Sequence, residues 1–448
     1  MTTQPSPLRQ EIVRPAQPRK QPHAKPRRPV AGPLKALVSP HNLSQALDRA
    51  VSPQRRRAIA EQSGYDAQAQ KLTFVPYLRA LILRQVLGGS LHDLQHGMAE
   101  DPVYEVHGAR LEISVPGLSK ANAQRSPQPF WDVLAEVMAA VDAVPQAVRV
   151  GRGKPLGAAT PTQLREISQL LERTHIFDGT TVELPPQIAQ WARTSTKQER
   201  AGIKVQLRLR AGDGGLDRVM MTGGKGNDNP YFRALLDLET AAPGQVYLFD
   251  TGYSKLATYE AIREHGSELV SILHESITVE IVEEREVATP GTAQGYTIHS
   301  DRIVYLGTGK TRSRYRWRLI DATDTRGQRR TIVTSLLAES AERITQLRAY
   351  RWTIEIVFRW LKRVLQLDTL ISYSPGGLAM QVAVALITYG LLLLYHAGGA
   401  LSLKALQRRV KQALHEALFA AGVADGERRA QERGRRAAAG LPLLREAG

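Results

Sequence analysis

The chain has no cysteine among its 448 residues. That excludes a disulfide scaffold, thiolate zinc sites and a cysteine nucleophile. Acid is also in short supply: 43 Asp and Glu face 60 Lys and Arg, a formal charge of +17. With a pI near 10.1, this imbalance predicts a polyanionic partner, either nucleic acid or an anionic membrane face. Aromatic residues make up only 6%, but 42% hydrophobic and 23% charged residues are globular values that exclude wholesale disorder. The first residues lack an apolar h-region, which predicts no secretory signal and a cytoplasmic protein. No phosphate loop is present. Gly223-Gly224-Lys225-Gly226 lacks the earlier Gly and the Ser or Thr after Lys, so no nucleotide cofactor is indicated.

The length predicts two or three domains. Residues 1–40 read as a disordered basic arm, rich in Pro, Arg and Lys with almost no acid. Residues 41–150 read as helical: Leu72, Val75, Leu78, Leu81 and Ile82 recur at helix spacing up to Gly88-Gly89, and Ser90 caps the next helix. Past Pro116-Gly117 comes a short polar helix with Lys120, Asn122 and Arg125. Two readings stand, a helix-turn-helix variant with this helix contacting DNA, or a plain helical bundle. Gly151 to Pro155 reads as a linker.

From 174 the pattern becomes α/β, with strands expected at 175–177, 205–209 and 245–249. Residues 276–336 contain short strands with no helices between them, so an all-β insertion is expected there. Helix returns over 338–366 and again from 377. Leu378 to Tyr395 is nearly all apolar and just meets the length of a membrane span. Gln381 and Thr388 interrupt it and no second span exists, so a helix buried against the sheet is the expectation. A basic helix or tail follows over 403–448.

Asp178 and Asp250 each follow an apolar strand, where sites form in open α/β sheets. A carboxylate so placed is costly to bury unless a cation meets it. Glu355 lies in a helical pattern where Leu347, Ile354, Phe358, Leu361 and Leu365 make an apolar stripe. At about 100° per residue, Arg348, Arg351, Arg359 and Lys362 share the face of Glu355. These cations outnumber the one acid among them, and phosphates would balance the surplus. Three carboxylates suit a hard divalent cation, Mg²⁺ or Mn²⁺. Two such ions can activate a water or a 3′-hydroxyl for in-line attack at phosphorus.

The run from Tyr350 through Arg351, Trp352, Glu355 and Arg359 to Lys362 resembles the signature of bacterial insertion-sequence transposases of the DDE type, the group with a Tyr-Arg-Glu-Lys motif. Phe177-Asp178-Gly179-Thr180 and Phe249-Asp250-Thr251-Gly252-Tyr253 resemble the segments around its two aspartates, and most of 170–400 fits. The resemblance implies a ribonuclease-H-like mixed-sheet core over 151–275 and 337–402, split by the β-rich insertion 276–336 and preceded by a helical DNA-binding domain over 41–150. It implies two metal ions held by Asp178, Asp250 and Glu355, with Arg351 and Lys362 holding phosphates at the transposon end. Also implied are a nucleoid-associated homodimer acting on inverted repeats and target DNA, and cut-and-paste transposition through hairpin ends. One departure stands out: the family's Tyr lies seven residues before the Glu, where this chain has Arg348, and its nearest Tyr is Tyr350. Trp317 and Trp352 are candidates either for base stacking or for the core. His175 and His274 read as structural. The rival functions are an inactive DNA-binding protein of the same fold and a nuclease that cuts without joining.

Overall fold

The computed structural model describes residues 40–69, 71–100, 104, 111–144, 167, 169–195, 200–223, 229–253, 255–287, 291–293, 296–324, 327–363, 365, 367 and 369–395. The expected arm over 1–40 (all but its last residue), the 151–155 linker and the 403–448 tail lie outside these residues.

Six helices come first: α1 (Pro40–Ala50), α2 (Pro53–Gln62), α3 (Phe74–Leu87), α4 (Leu91–Glu100), α5 (Val115–Gln124) and α6 (Gln128–Asp142). Their starts are written in local chemistry. Ser52 and Ser114 cap α2 and α5 by accepting from the Arg55 and Gly117 amides, with Pro in the first turn of each. The helix read at 118–125 is thus observed, although two of its three candidate side chains turn inward. Asn122 is buried and accepts from the Tyr77 hydroxyl, while Arg125 donates to the Leu72 carbonyl and lies over the Tyr65 ring. Only Lys120 is exposed among the three.

The strands are β1 (Thr174–Leu184), β2 (Arg193–Ser195), β3 (Arg200–Arg210), β4 (Leu216–Gly223), β5 (Val246–Leu248), β6 (Glu268–Ile272), β7 (Val279–Arg285), β8 (Gly291–Ala293), β9 (Tyr296–Leu306), β10 (Trp317–Asp324) and β11 (Arg329–Thr334). Between them lie α7 (Asn229–Leu236) and α8 (Leu256–Glu264). The last helices are α9 (Ala341–Ala349), α10 (Trp352–Arg363) and α11 (Pro375–Tyr395). One mixed sheet runs β2-β3-β1-β5-β6-β11-β10-β9-β7, with β4 also on β3 and β8 on β9. β1, β5 and β6 are parallel, and the other pairs are antiparallel.

The stretch 276–336 is all strand and short turns among the described residues, as expected, whereas the single helix over 338–366 is corrected. The β-rich stretch continues the main sheet, because β11 pairs with β6 and so covers what would be an open edge. The stretch read as one helix over 338–366 is two helices. The Tyr350 and Arg351 amides bond the Leu347 and Arg348 carbonyls, a tight i−3 turn that ends α9 before α10 begins.

Both faces of the sheet are covered. Ile176, Val182, Leu207, Val246, Leu248 and Ile320 pack into a core shared with the N-terminal helices and with α9 to α11. On the opposite face, Phe177, Tyr247, Phe249, Leu269 and Trp317 pack with Phe232 of α7 and Tyr259 of α8. The apolar helix α11 is buried as expected, but its main partners are α6, α1, α3 and α5. Tyr389 of α11 reaches back to donate to the Gly214 carbonyl at 2.6 Å.

Candidate active site

Strand alternation fixes where the two aspartates point. The parallel register sets Thr174 beside Val246, His175 beside Tyr247 and Ile176 beside Leu248. Two residues further on, the same offset brings Asp178 level with Asp250. Phe177 and Phe249 turn into the opposite core, where each meets Phe232, at 5.2 and 4.7 Å between ring centroids. Both carboxylates therefore leave the sheet on the face that α9 and α10 cover. Asp178 lies inside β1 rather than after it, since β1 outruns β5 and stays paired to β3. Each aspartate also accepts from the next backbone amide, Gly179 at 2.8 Å and Thr251 at 2.9 Å.

Glu355 sits in the first turn of α10, and Arg351 ends the turn just before it. Arg351 Nη1 donates to Asp178 Oδ2 at 2.8 Å, and Nη2 contacts Glu355 and lies 3.5 Å from Asp250 Oδ2. One guanidinium thus gathers all three acids, which come from β1, the end of β5 and α10. Arg348, buried at the end of α9, adds a contact from Nη2 to Asp250 Oδ1 at 3.4 Å. The residue standing at the family's Tyr position therefore meets the second acid. Burial, with the charge of Arg351 beside it, pushes the Arg348 guanidinium down to about 10. Burial likewise pushes Asp178 above the usual carboxylate range, outweighing the opposing attraction of Arg351.

Lys362 is placed apart from the acids. It donates to the Thr181 carbonyl at 2.7 Å. Seven residues of helix rise about 10 Å, as do three of strand, so α10 runs along β1 with Glu355 level with Asp178 and Lys362 level with Thr181. The expected row of four cations on one helix is corrected by the break at Tyr350. Arg348 and Arg351 approach from α9 and the turn, whereas Arg359 and Lys362 belong to α10; Arg359 and Tyr350 are exposed. The side chain of Trp352 lies outside the described residues.

Trp317 is wholly buried against Tyr259, 5.6 Å between ring centroids, which leaves no face for a base. Its place at the start of β10, on the alternation that fills the α7–α8 core, is the physical reason. Among the described side chains the exposed tryptophan is Trp191, in the turn after β1, a residue for which no role was expected from the sequence. His175 is structural as expected, bonded to Asp217 and to Gln245 at 2.9 Å.

Residues 170–391 match the family model of the transposase DDE domain. It is 25% identical over 353 residues to a probable transposase for insertion sequence element IS5377 from Geobacillus stearothermophilus, covering 78% of this chain and 84% of that one. A protein from Sinorhizobium fredii named for a transposase, y4zB, is 27% identical over 150 residues, 33% of this chain and 42% of its own length. Among solved structures, a piggyBac transposase synaptic complex with hairpin DNA aligns at a TM-score of 0.40 and 8% identity, covering 84% of this chain and 80% of that one. The matched domain spans the elements that supply Asp178, Asp250, Arg351 and Glu355. Over this stretch the chain is similar to the transposase DDE domain, and over most of its length to a probable insertion-sequence transposase.

Among the described residues no group of three His, Asp or Glu is arranged to hold a metal ion directly. What Asp178, Asp250 and Glu355 share is the guanidinium of Arg351. The donor set is nevertheless the one a hard divalent cation takes, all carboxylate oxygen and no sulfur. A positive charge already stands among them.

Proposed function

We propose that this chain is a DNA transposase whose cutting and joining of phosphodiester bonds is carried by Asp178, Asp250 and Glu355. The observation that carries the reading is the meeting of three carboxylates, far apart in sequence, at the one guanidinium of Arg351. A cation among them offsets the repulsion of three carboxylates held together and half-screened from water. In the working complex Mg²⁺ or Mn²⁺, two ions per site, would be held by these acids, and Arg351 would withdraw toward phosphate. The bound ions would supply Lewis-acid activation of the attacking oxygen and stabilisation of the leaving one.

The chain's own side chains do the rest. Arg351, Arg348 and Lys362 hold phosphates along the line of α10, Arg359 and Tyr350 lie at its exposed rim, and Trp352 begins the helix. The order β4-β3-β1-β5-β6, antiparallel on one side of β1 and parallel on the other, supports a ribonuclease-H-like core in which β7 to β11 are the insertion. The N-terminal helices, with Lys120 exposed on α5, would help to find the inverted repeats. A homodimer bringing two ends together would cut and paste through hairpin ends, the nicked 3′-hydroxyl attacking the opposite strand.

Purified protein incubated with DNA bearing the element's ends and Mg²⁺ tests the reading. Nicked, hairpin and joined products are expected, and none from Asp178→Ala, Asp250→Ala or Glu355→Ala, each of which still binds the ends. Strand transfer surviving in any of the three would overturn the assignment. Binding without metal-dependent nicking would instead favour an inactive DNA-binding protein, and cutting without joining a nuclease.

A further inference from the structure

Strands β9 and β10 carry a buried ion pair away from the three acids. Arg318 of β10 and Asp301 of β9 are 3% and 4% exposed. Arg318 Nε donates to Asp301 Oδ1 at 2.8 Å and Nη2 donates to Oδ2 at 2.5 Å, a two-pronged grip. Their place follows from register. Arg318 stands opposite Ile303, two residues along β9 from Asp301, and Ile320 stands opposite Asp301. Alternation thus puts both charges on the face of Ile320, which packs into the core shared with α9 to α11. Arg285 of β7, opposite Asp301, joins the same face.

The remaining nitrogen of Arg318 serves one loop. Nη1 donates to the Glu339 carbonyl and lies 3.4 Å from the Leu337 carbonyl, which also accepts from Arg285 Nη1 at 2.9 Å. This loop leads from β11 into α9, where Ser340 caps the helix by accepting from the Arg343 amide. Upstream, the Ser335 hydroxyl accepts from the Leu269 amide at 2.9 Å and ties the chain to the sheet. α9 then carries Arg348 in its last turn, and Arg351 follows in the turn beyond. From Glu339 to Arg348 the chain rises about 13 Å as helix. Buried Ile344 and Leu347 press α9 onto the core, but apolar packing is non-directional. The directional contacts at Leu337 and Glu339 set where the helix begins. A buried ion pair adds little net stability over an apolar pair of the same volume. What this pair adds is a grip on two carbonyls that no apolar side chain can make.

We propose that Arg318, oriented by Asp301, is a positioning residue for the acid site. It fixes the start of α9, and thereby the reach of Arg348 and Arg351 to Asp178, Asp250 and Glu355. Its effect on cleavage rests on the transposase reading above, whereas its effect on α9 rests on contacts of the chain alone. A second ion pair on the same two strands gives the contrast. Arg302 donates to Asp321 at 2.7 Å, and the Ser300 and Thr331 hydroxyls donate to the same carboxylate at 2.7 and 2.6 Å. Asp321 follows Ile320 in the strand, so this pair lies on the face turned away from α9.

The test uses the full chain in three variants. Arg318→Met combined with Asp301→Leu exchanges the pair for apolar side chains and removes the carbonyl contacts. Arg318→Lys keeps a charge beside Asp301 but lacks the fork that reaches the loop. Asp321→Asn weakens the contrasting pair. Amide hydrogen exchange is read on the metal-free chain without DNA. Both Arg318 variants should raise exchange over 337–351 by about tenfold or more with β9 and β10 unchanged, and Asp321→Asn should not. On DNA bearing the element's ends, both should lower kcat by about 10- to 100-fold with KM unchanged, while Asp321→Asn cuts as wild type does. Wild-type exchange over 337–351 in both Arg318 variants would overturn the proposal. So would wild-type kcat in both, or an equal loss of kcat in Asp321→Asn, which would make the loss a general cost of stability. Should the double variant fail to fold, Arg318→Lys decides by the same readings. A wild-type chain that cuts no DNA would sink the transposase reading, and the exchange result would still decide whether Arg318 sets α9.

Discussion

The Arg351 guanidinium donates to Asp178 at 2.8 Å, and its other terminal nitrogen serves both Glu355 and Asp250. In the metal-free chain this one side chain contacts all three carboxylates, and Arg348 adds a second positive charge at Asp250. Changing Arg351 to Ala leaves them facing one another with only Arg348 nearby. A loss on the order of 1–3 kcal/mol in metal-free stability is expected, read by denaturant unfolding. Mn²⁺ should then bind more tightly than to wild type and restore the stability. Arg351→Lys should fall between, since a single ammonium cannot reach in two directions.

Asp178 gives a pH prediction with a definite sign. Burial holds its folded-state pKa above the unfolded value, outweighing the attraction of Arg351. Its contribution to stability is therefore full below the ordinary aspartate range and is lost as pH rises through the raised pKa. At neutral pH the ionised group is a net cost to the metal-free fold. Asp178→Asn should melt above wild type at pH 7, and the gap should close as pH falls through the carboxylate range. A melting point below wild type at pH 7 would show that the Arg351 contact outweighs burial.

Trp317 separates core from site. Its complete burial predicts that Trp317→Ala costs about 3–5 kcal/mol by chemical denaturation. Trp317→Phe should cost less, because the buried indole N–H has no partner to lose. End cleavage by the folded Phe variant should match wild type; a specific loss of cleavage at unchanged stability would return Trp317 to the site.

Among the described residues the partner of the Lys362 ammonium is a backbone carbonyl, that of Thr181. Lys362→Ala should therefore change stability by a few tenths of a kcal/mol, within the surface range. DNA affinity should fall uniformly across sequences, with the log–log salt slope reduced by about 1. An unchanged slope would remove Lys362 from the phosphate track.

Much of this was legible in the sequence because it is local. Phe177-Asp178 and Phe249-Asp250 announce strands that send a carboxylate one way and an aromatic ring the other. The apolar stripe of Ile354, Phe358 and Leu361 announces the helix that brings Glu355, and all three are buried. What stayed hidden depends on tertiary partners. Helical periodicity runs through Tyr350 without a break, so nothing local signals the turn that sends Arg348 and Arg351 in from a second helix. The residues β11 offers to β6 fall in the stretch read as all-β, but nothing local marks them as a neighbour of that strand. Asn122 and Arg125 are polar in sequence and look outward; only the presence of Tyr77, Leu72 and Tyr65 turns them in. Trp191 carried no signal beyond its type, since exposure is not written in a turn sequence.

Manganese binding to the purified chain, followed by the paramagnetic signal of the free ion, tests the shared role of the three acids most directly. Asp178→Asn, Asp250→Asn and Glu355→Gln should each weaken Mn²⁺ binding by about tenfold or more relative to wild type. Mn²⁺ bound with wild-type affinity by any one of the three would show that the carboxylates meeting at Arg351 do not act on a common ion.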